Sequence, residues 1–227
     1  MSATTMPLAA VPRAPALGRA EWIAFMAMVF GMFMAILDIQ IVAASIADIQ
    51  AGLSASPDEA SWIQTSYLIA EIVMIPLSGF LSRLLSTRVL FTASAAGFTL
   101  FSLLCATATN LPMMIVFRAM QGFIGGAMIP TVFATSFILF QGPRRVQMSV
   151  VIGLTATLAP TIGPTLGGWL SDTFSWHWLF LINVPVGTAV ALTVWNTLDI
   201  DRGDRSLMAR FDWWGLIFMA GFLGSLE

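Results

Sequence analysis

The stretch 111–140 carries a single charged side chain, Arg118, in an otherwise apolar run. A segment that long and that apolar belongs in a bilayer. Five more stretches read the same way: 22–47, 61–81, 89–108, 147–170 and 178–198. At about 1.5 Å rise per residue, each crosses a hydrocarbon core of about 30 Å as a helix, with tilt for the longer ones. The composition agrees, being 58% hydrophobic and 10% charged. That charge fraction is less than half of the roughly 25% usual in soluble domains. The expected class is an all-α polytopic membrane protein.

The distribution of charge predicts an orientation. Arg13 and Arg19 precede the first run, and Arg83 and Arg88 lie between the second and third. Arg144 and Arg145 lie between the fourth and fifth, and Arg202, Arg205 and Arg210 follow the sixth. The alternate connections hold Asp48, Asp58, Glu59, Asp172 and His177, and no Arg or Lys. Positive residues favour the cytoplasmic side, so the N-terminus is expected there. Trp22, Trp62, Trp176, Trp178 and Trp195 sit near the expected interfaces, as anchoring tryptophans do.

Residues 1–20, rich in Ala and Pro, read as a disordered cytoplasmic tail rather than a cleavable signal peptide. Residues 21–198 form the six-helix bundle, 199–211 a cytoplasmic loop, and 212–227 the start of a seventh helix. From Trp213 to Leu226 that last segment covers roughly 21 Å, too little to cross a bilayer. The reading is of a chain cut inside a helix, either a fragment or one part of a divided protein. Cys105 is the only cysteine and His177 the only histidine, so neither an internal disulfide nor a histidine metal cluster is expected.

Three ionisable residues stand inside the apolar runs: Asp38, Glu71 and Arg118. A charge at the bilayer centre costs roughly 2.5–3.5 kcal/mol on insertion scales, and such residues normally mark an ion or substrate path. Counting from the outer ends of their runs, all three fall roughly 10–15 Å below the outer surface. Each has polar company at helical spacing. Gln64, Tyr67, Glu71 and Ser78 share one face of the second run, and Arg118, Gln121, Gly122 and Gly125 share one face of the fourth. Such stripes face a cavity or a protein interior. One reading is a buried ion pair that fixes helix packing. The other is a proton or cation site, because burial favours the neutral acid while a nearby cation favours the anion.

The fifth run carries Pro160, Gly163, Pro164, Gly167 and Gly168. Glycines four apart let a second helix approach closely, and the prolines remove backbone donors. A bent, tightly packed helix is expected.

These residues bring a family into view. Leu37-Asp38-Ile39-Gln40-Ile41-Val42 resembles the first-helix signature of the EmrB/QacA-type drug:proton antiporters within the major facilitator superfamily, with Gln40, Ala43 and Ala47 in place of the usual Thr, Asn and Pro. Arg118-Ala119-Met120-Gln121-Gly122 resembles the fourth-helix R-x-x-Q-G motif. Gly163-Pro164-Thr165-Leu166-Gly167-Gly168 resembles the fifth-helix G-P-x-x-G-G antiporter motif. The segment 178–187, Trp-Leu-Phe-Leu-Ile-Asn-Val-Pro-Val-Gly, resembles the start of the sixth helix in this group. Phe211-Asp212-Trp213-Trp214-Gly215 resembles the opening of the next helix in the fourteen-helix branch. The loop 79–88 follows the superfamily's G-x-L-a-D-r-x-G-r-x pattern, with Arg83 in the place of the Asp and Ser86 in the place of the second Gly. Glu71 matches none of these motifs, and its role rests on position.

The resemblance implies two six-helix halves, each of two inverted three-helix repeats, of which this chain supplies the N-terminal half and the start of the next helix. It implies proton-driven export of amphipathic small molecules across a bacterial inner membrane, with no cofactor beyond protons and no metal. Asp38 and Arg118 would carry proton coupling, with Glu71, by its position alone, a second proton-coupling site or a cation-recognising carboxylate, and Gln64, Tyr67 and Gln121 would line the substrate cavity. The partners would be the lipid bilayer, the missing C-terminal half, and a periplasmic adaptor with an outer-membrane channel. Nucleic acid is not among them. An intramembrane protease is disfavoured, since the spans contain neither a Gly-x-Ser nor a Gly-x-Gly-Asp motif. A non-transporting remnant or scaffold and a transporter of a metabolite remain as alternatives to drug efflux.

Overall fold

The computed structural model describes residues 18–210 and 213–225. Most of the expected N-terminal tail, and Asp212 at the expected start of the seventh helix, lie outside them. The described chain is helical: α1 (Arg19–Ala44), α2 (Ile46–Gly52), α3 (Pro57–Leu85), α4 (Thr87–Ala106), α5 (Leu111–Gly125), α6 (Met128–Leu139), α7 (Pro143–Thr173), α8 (Trp178–Leu181), α9 (Asn183–Thr197) and α10 (Trp213–Gly224). Six spans are long and apolar enough to cross a membrane, made by α1, α3, α4, α5 with α6, α7, and α8 with α9.

Local chemistry sets the ends. The second span starts at Pro57, ahead of its apolar run, because Ser56 and Glu59 close a capping box. Glu59 accepts from the Ser56 N–H at 3.0 Å, and Ser56 Oγ accepts from the Glu59 N–H at 3.4 Å. The fourth span is interrupted after Gly125. Pro130 has no N–H to return to the Gly126 carbonyl, so the helical ladder lapses there. The sixth span turns at Ile182 between α8 and α9. The fifth span, in contrast, stays one helix through Pro160 and Pro164.

The principal packed pairs are α1 with α7, α3 with α5, α4 with α9, α4 with α5, and α1 with α9. In span numbers these are one–five, two–four, three–six, three–four and one–six. Exchanging spans one to three for four to six returns the same set, as an inverted repeat requires. Small residues permit the closest pairs. A Cβ on Gly122 would strike the Tyr67 carbonyl, and one on Gly163 would strike the Gln40 side chain. On Gly126 and Gly167 it would come within 2.9 Å of the Glu71 carbonyl and 2.8 Å of the Ile41 carbonyl.

Every arginine-bearing connection lies at one end of the bundle. There the Asp204 N–H donates to the Arg83 carbonyl at 2.9 Å, and the Trp22 and Phe140 rings meet at 5.3 Å. Hydrogen bonds with Ser206 hold the exposed Asp204 carboxyl below the usual carboxylate range. The carboxylate of Asp201 caps α4, accepting from the Thr87 N–H at 2.9 and 3.0 Å and from its hydroxyl at 2.6 Å. Next to it Ser86 takes φ +92° and ψ 152°, a backbone conformation nearly reserved for glycine. At the opposite end Ser171 donates to Asp48 at 2.5 Å.

Candidate functional site

Arg118 and Asp38, on α5 and α1, are both wholly buried and form an ion pair, Nη1 to Oδ2 at 2.6 Å. Among the described residues no other ion pair is found. The guanidinium is held on several sides. Its Nε donates to the Ile63 carbonyl of α3 at 3.3 Å, and its Nη1 also donates to Gln121 Oε1 at 2.8 Å. Its face lies on the Tyr67 ring, 4.1 Å from the centroid, with the Phe180 ring at 5.8 Å. Such stacking favours the planar guanidinium over an ammonium.

Asp38 is surrounded by donors. Asn183 Nδ2 of α9 donates to Oδ1 at 2.7 Å and Gln121 Nε2 reaches the same atom at 3.4 Å. Asn183 Nδ2 also donates to Ser102 Oγ at 2.9 Å, and Ser102 donates to the Phe180 carbonyl at 3.0 Å. The thiol of Cys105 approaches Gln121 Oε1 at 3.7 Å. A carboxylate so placed is satisfied as an anion, and removing either charge would strand the other in a dry interior.

The residues expected from the sequence divide accordingly. Asp38, Arg118 and Gln121 meet directly, and Tyr67 joins them through its ring. Glu71 does not. Parallel α3 and α5 share a constant register, Ile63 beside Arg118, Tyr67 beside Gly122 and Glu71 beside Gly126. Glu71 is therefore about 12 Å further along the bundle than Arg118. It is 8% exposed and has no hydrogen-bond partner among the described residues. It lies deeper than its place in the apolar run predicts, because the capping box starts α3 four residues ahead of that run. Gln64 is half-buried, and its Oε1, the Tyr67 hydroxyl and Arg118 Nη2 have no partner among the described residues. Gly163 and Gly167 are buried against α1, Pro160 and Gly168 are half-buried, and Pro164 is exposed.

Asn183, Ser102 and Cys105 escaped the sequence reading as site residues. Asn183 stood within the quoted sixth-helix motif, and a polar amide between Ile182 and Val184 was the available signal. Further along α1 from Asp38, α1 and α7 enclose an apolar crevice of about 220 Å³ lined by Met26, Val29, Phe30, Phe33, Thr155 and Leu158, among others. A crevice of about 390 Å³ between α1 and α9 includes Phe30, Val186 and Thr193, none of them a partner of the ion pair.

The sequence is similar to known resistance and export proteins. It is 53% identical over 209 residues to the colistin resistance protein EmrB of Acinetobacter baumannii, covering 92% of this chain and 41% of that protein. It is 35% identical over 196 residues to the fatty acid resistance protein FarB of Neisseria gonorrhoeae, covering 86% and 38%. It is 34% identical over 197 residues to the multidrug export protein EmrB of Escherichia coli K12, again covering 86% and 38%. The chain thus spans about two fifths of the length of these relatives. A family model described as Major Facilitator Superfamily matches residues 28–224. With six membrane-length spans and this match along nearly all of its length, the chain is a multi-pass membrane protein that belongs to the major facilitator superfamily.

Proposed function

We propose that this chain forms the N-terminal bundle of a proton-coupled multidrug exporter in a bacterial inner membrane, with its N-terminus in the cytoplasm. The observation that carries the reading is the wholly buried Arg118–Asp38 pair in its shell of donors. Such a pair is expensive to build and contributes little to stability against an apolar substitute. It serves a transporter because the aspartate can exchange its counter-charge for a proton. The names of the relatives support drug or toxic-compound export. The arginine-rich end supports a cytoplasmic N-terminus.

In this reading Asp38 takes the proton and Arg118 sets when it can do so. The apolar crevice between α1 and α7 offers an adaptable wall for amphipathic substrates. Glu71, unbonded and remote from the pair, is a second carboxylate that takes up a proton or meets a cationic drug. The second helical half completes the transporter, with a periplasmic adaptor and outer-membrane channel beyond it.

The test is efflux in the full-length protein reconstituted with an imposed pH gradient. Arg118→Lys and Asp38→Asn should abolish uphill export at near-normal membrane levels. Wild-type export by either variant overturns the proton-coupling role.

A further inference from the structure

The mechanism above uses the two charges and leaves the amide of Asn183 unexplained. That amide is buried at 2% exposure and bridges three helices. Its Nδ2 carries two hydrogens. One goes to Asp38 Oδ1 at 2.7 Å, and the other to Ser102 Oγ at 2.9 Å. Ser102 passes its own hydrogen to the Phe180 carbonyl, two residues before the turn at Ile182. Asn183 donates both ways, so the chain diverges from its amide, to Asp38 on one side and through Ser102 to the Phe180 carbonyl on the other.

We infer that Asn183 is a positioning residue that holds Asp38 as the anion and ties its charge to the break in the sixth span. The inference rests on the reading of Asp38 as the proton site. Every partner of Asp38 is a donor: Arg118 Nη1 on Oδ2, and Asn183 Nδ2 and Gln121 Nε2 on Oδ1. The other nearby amide oxygen, Gln121 Oε1, is already engaged by Arg118 and Cys105. A proton arriving from water and bonding to Oδ1 would face N–H groups and no acceptor. Oδ2 is the less accessible oxygen, held at 2.6 Å by a cation. Protonation at Oδ1 therefore displaces the Asn183 donor, and the amide must turn aside. Turning withdraws the hydrogen from Ser102 and loosens the tie to Phe180. Phe180 also sets its ring toward Arg118, so both faces of the site register the change.

Other groups around Asp38 do not supply this link. Arg118 comes from α5, Tyr67 from α3 and Cys105 from α4, while Glu71 lies further along α3. Helices α6, α8 and α9 carry no titratable side chain, and those of α7 (Arg144, Arg145 and Asp172) stand near its ends.

The experiment reads the proton on Asp38 without requiring transport. Full-length protein in liposomes is treated with a hydrophobic carbodiimide, which modifies protonated carboxyls, at a series of pH values, and labelling of Asp38 is quantified by mass spectrometry. Asn183→Ala removes a donor from the anion, so the labelling midpoint should rise by about one pH unit, a tenfold gain in proton affinity. Ser102→Ala frees the amide from its second anchor and should raise the midpoint by less, in a protein whose site charges are untouched. A midpoint unmoved in either variant that reaches the membrane overturns the inference while leaving Asp38 as the proton site. Absence of pH-dependent labelling of Asp38 in the unsubstituted protein overturns the underlying reading as well.

Discussion

Whether the buried pair exists for stability or for transport can be separated by a double-mutant cycle. Arg118→Met leaves the Asp38 carboxylate fully buried with only amide donors, Asn183 and Gln121. Asp38→Asn leaves the Arg118 guanidinium buried with the Ile63 carbonyl, Gln121 and the Tyr67 ring. Stranding one member of such a pair costs about 3–5 kcal/mol. The combined variant strands neither. Asn at position 38 still accepts from Asn183, and Met fills the space against Tyr67 and Phe180. Its cost should be no more than about 1–2 kcal/mol, since replacing a whole buried pair is often neutral. At roughly 2–4 °C per kcal/mol for a chain of this size, each single variant should melt roughly 6–20 °C early, and the double variant within roughly 8 °C of the original. Cys105 is the natural reporter, being buried beside Gln121 and the only cysteine in the sequence. Its alkylation by a maleimide on heating in detergent reads unfolding of the site directly. Transport should be absent in all three variants of the full-length protein. If the double variant melts at the sum of the two single losses, the pair is no coupled unit and the argument fails.

Further expectations follow from the same geometry. Gly163→Leu drives a side chain into Gln40 and should abolish transport while leaving insertion intact; wild-type efflux by this variant would show that the α1–α7 contact is dispensable. Glu71→Gln should reduce export of cationic compounds at least tenfold more than of neutral ones, and equal wild-type resistance to both would leave Glu71 a packing residue. Ser86→Gly relieves a backbone at φ +92° and should raise the melting temperature by an amount equivalent to about 1 kcal/mol, despite loss of the Ser86 cap on Val89; a lower melting temperature would mean the cap outweighs the strain. With Cys105 replaced by Ala, a cysteine at Ser56 should react with a membrane-impermeant reagent in intact cells and one at Ser206 should not; the reverse would invert the proposed topology.

Much of this bundle was legible in the sequence because a bilayer leaves apolar runs few choices. The six spans followed from hydropathy, and the gathering of arginine-bearing loops at one end followed from counting crossings. Helix ends were less legible, since they depend on capping. Asp58 and Glu59 look like loop residues by polarity, yet the Ser56–Glu59 box makes them the first turn of α3. Those four added residues carry Glu71 about one turn deeper than its apolar run predicts. Asp38 and Arg118 were expected in one layer and meet there, because α5 starts at Leu111 as its run does and α1 ends at Ala44, near the expected outer end at 47. Glu71 was expected in the same layer and lies deeper, because its helix starts earlier.

The partners of the ion pair were harder to read for a different reason. Depth along a helix comes from rise, but facing requires rotation about each axis, and rotation is set by which helices touch. The close pairs are chosen by glycines such as Gly122 and Gly163, whose lack of a side chain records a neighbour without naming it. Asn183 illustrates the consequence. It lies 145 positions from Asp38 in sequence, on a span whose other buried positions are apolar or small. Only the packing of α9 against both α1 and α4 brings its amide between Asp38 and Ser102. The inverted repeat makes that packing obligatory, since α4–α9 is the pair that maps onto itself. A signal generated at Asp38 on the first span therefore reaches the third and sixth spans through a single side chain, at one of the several interfaces the two repeats share.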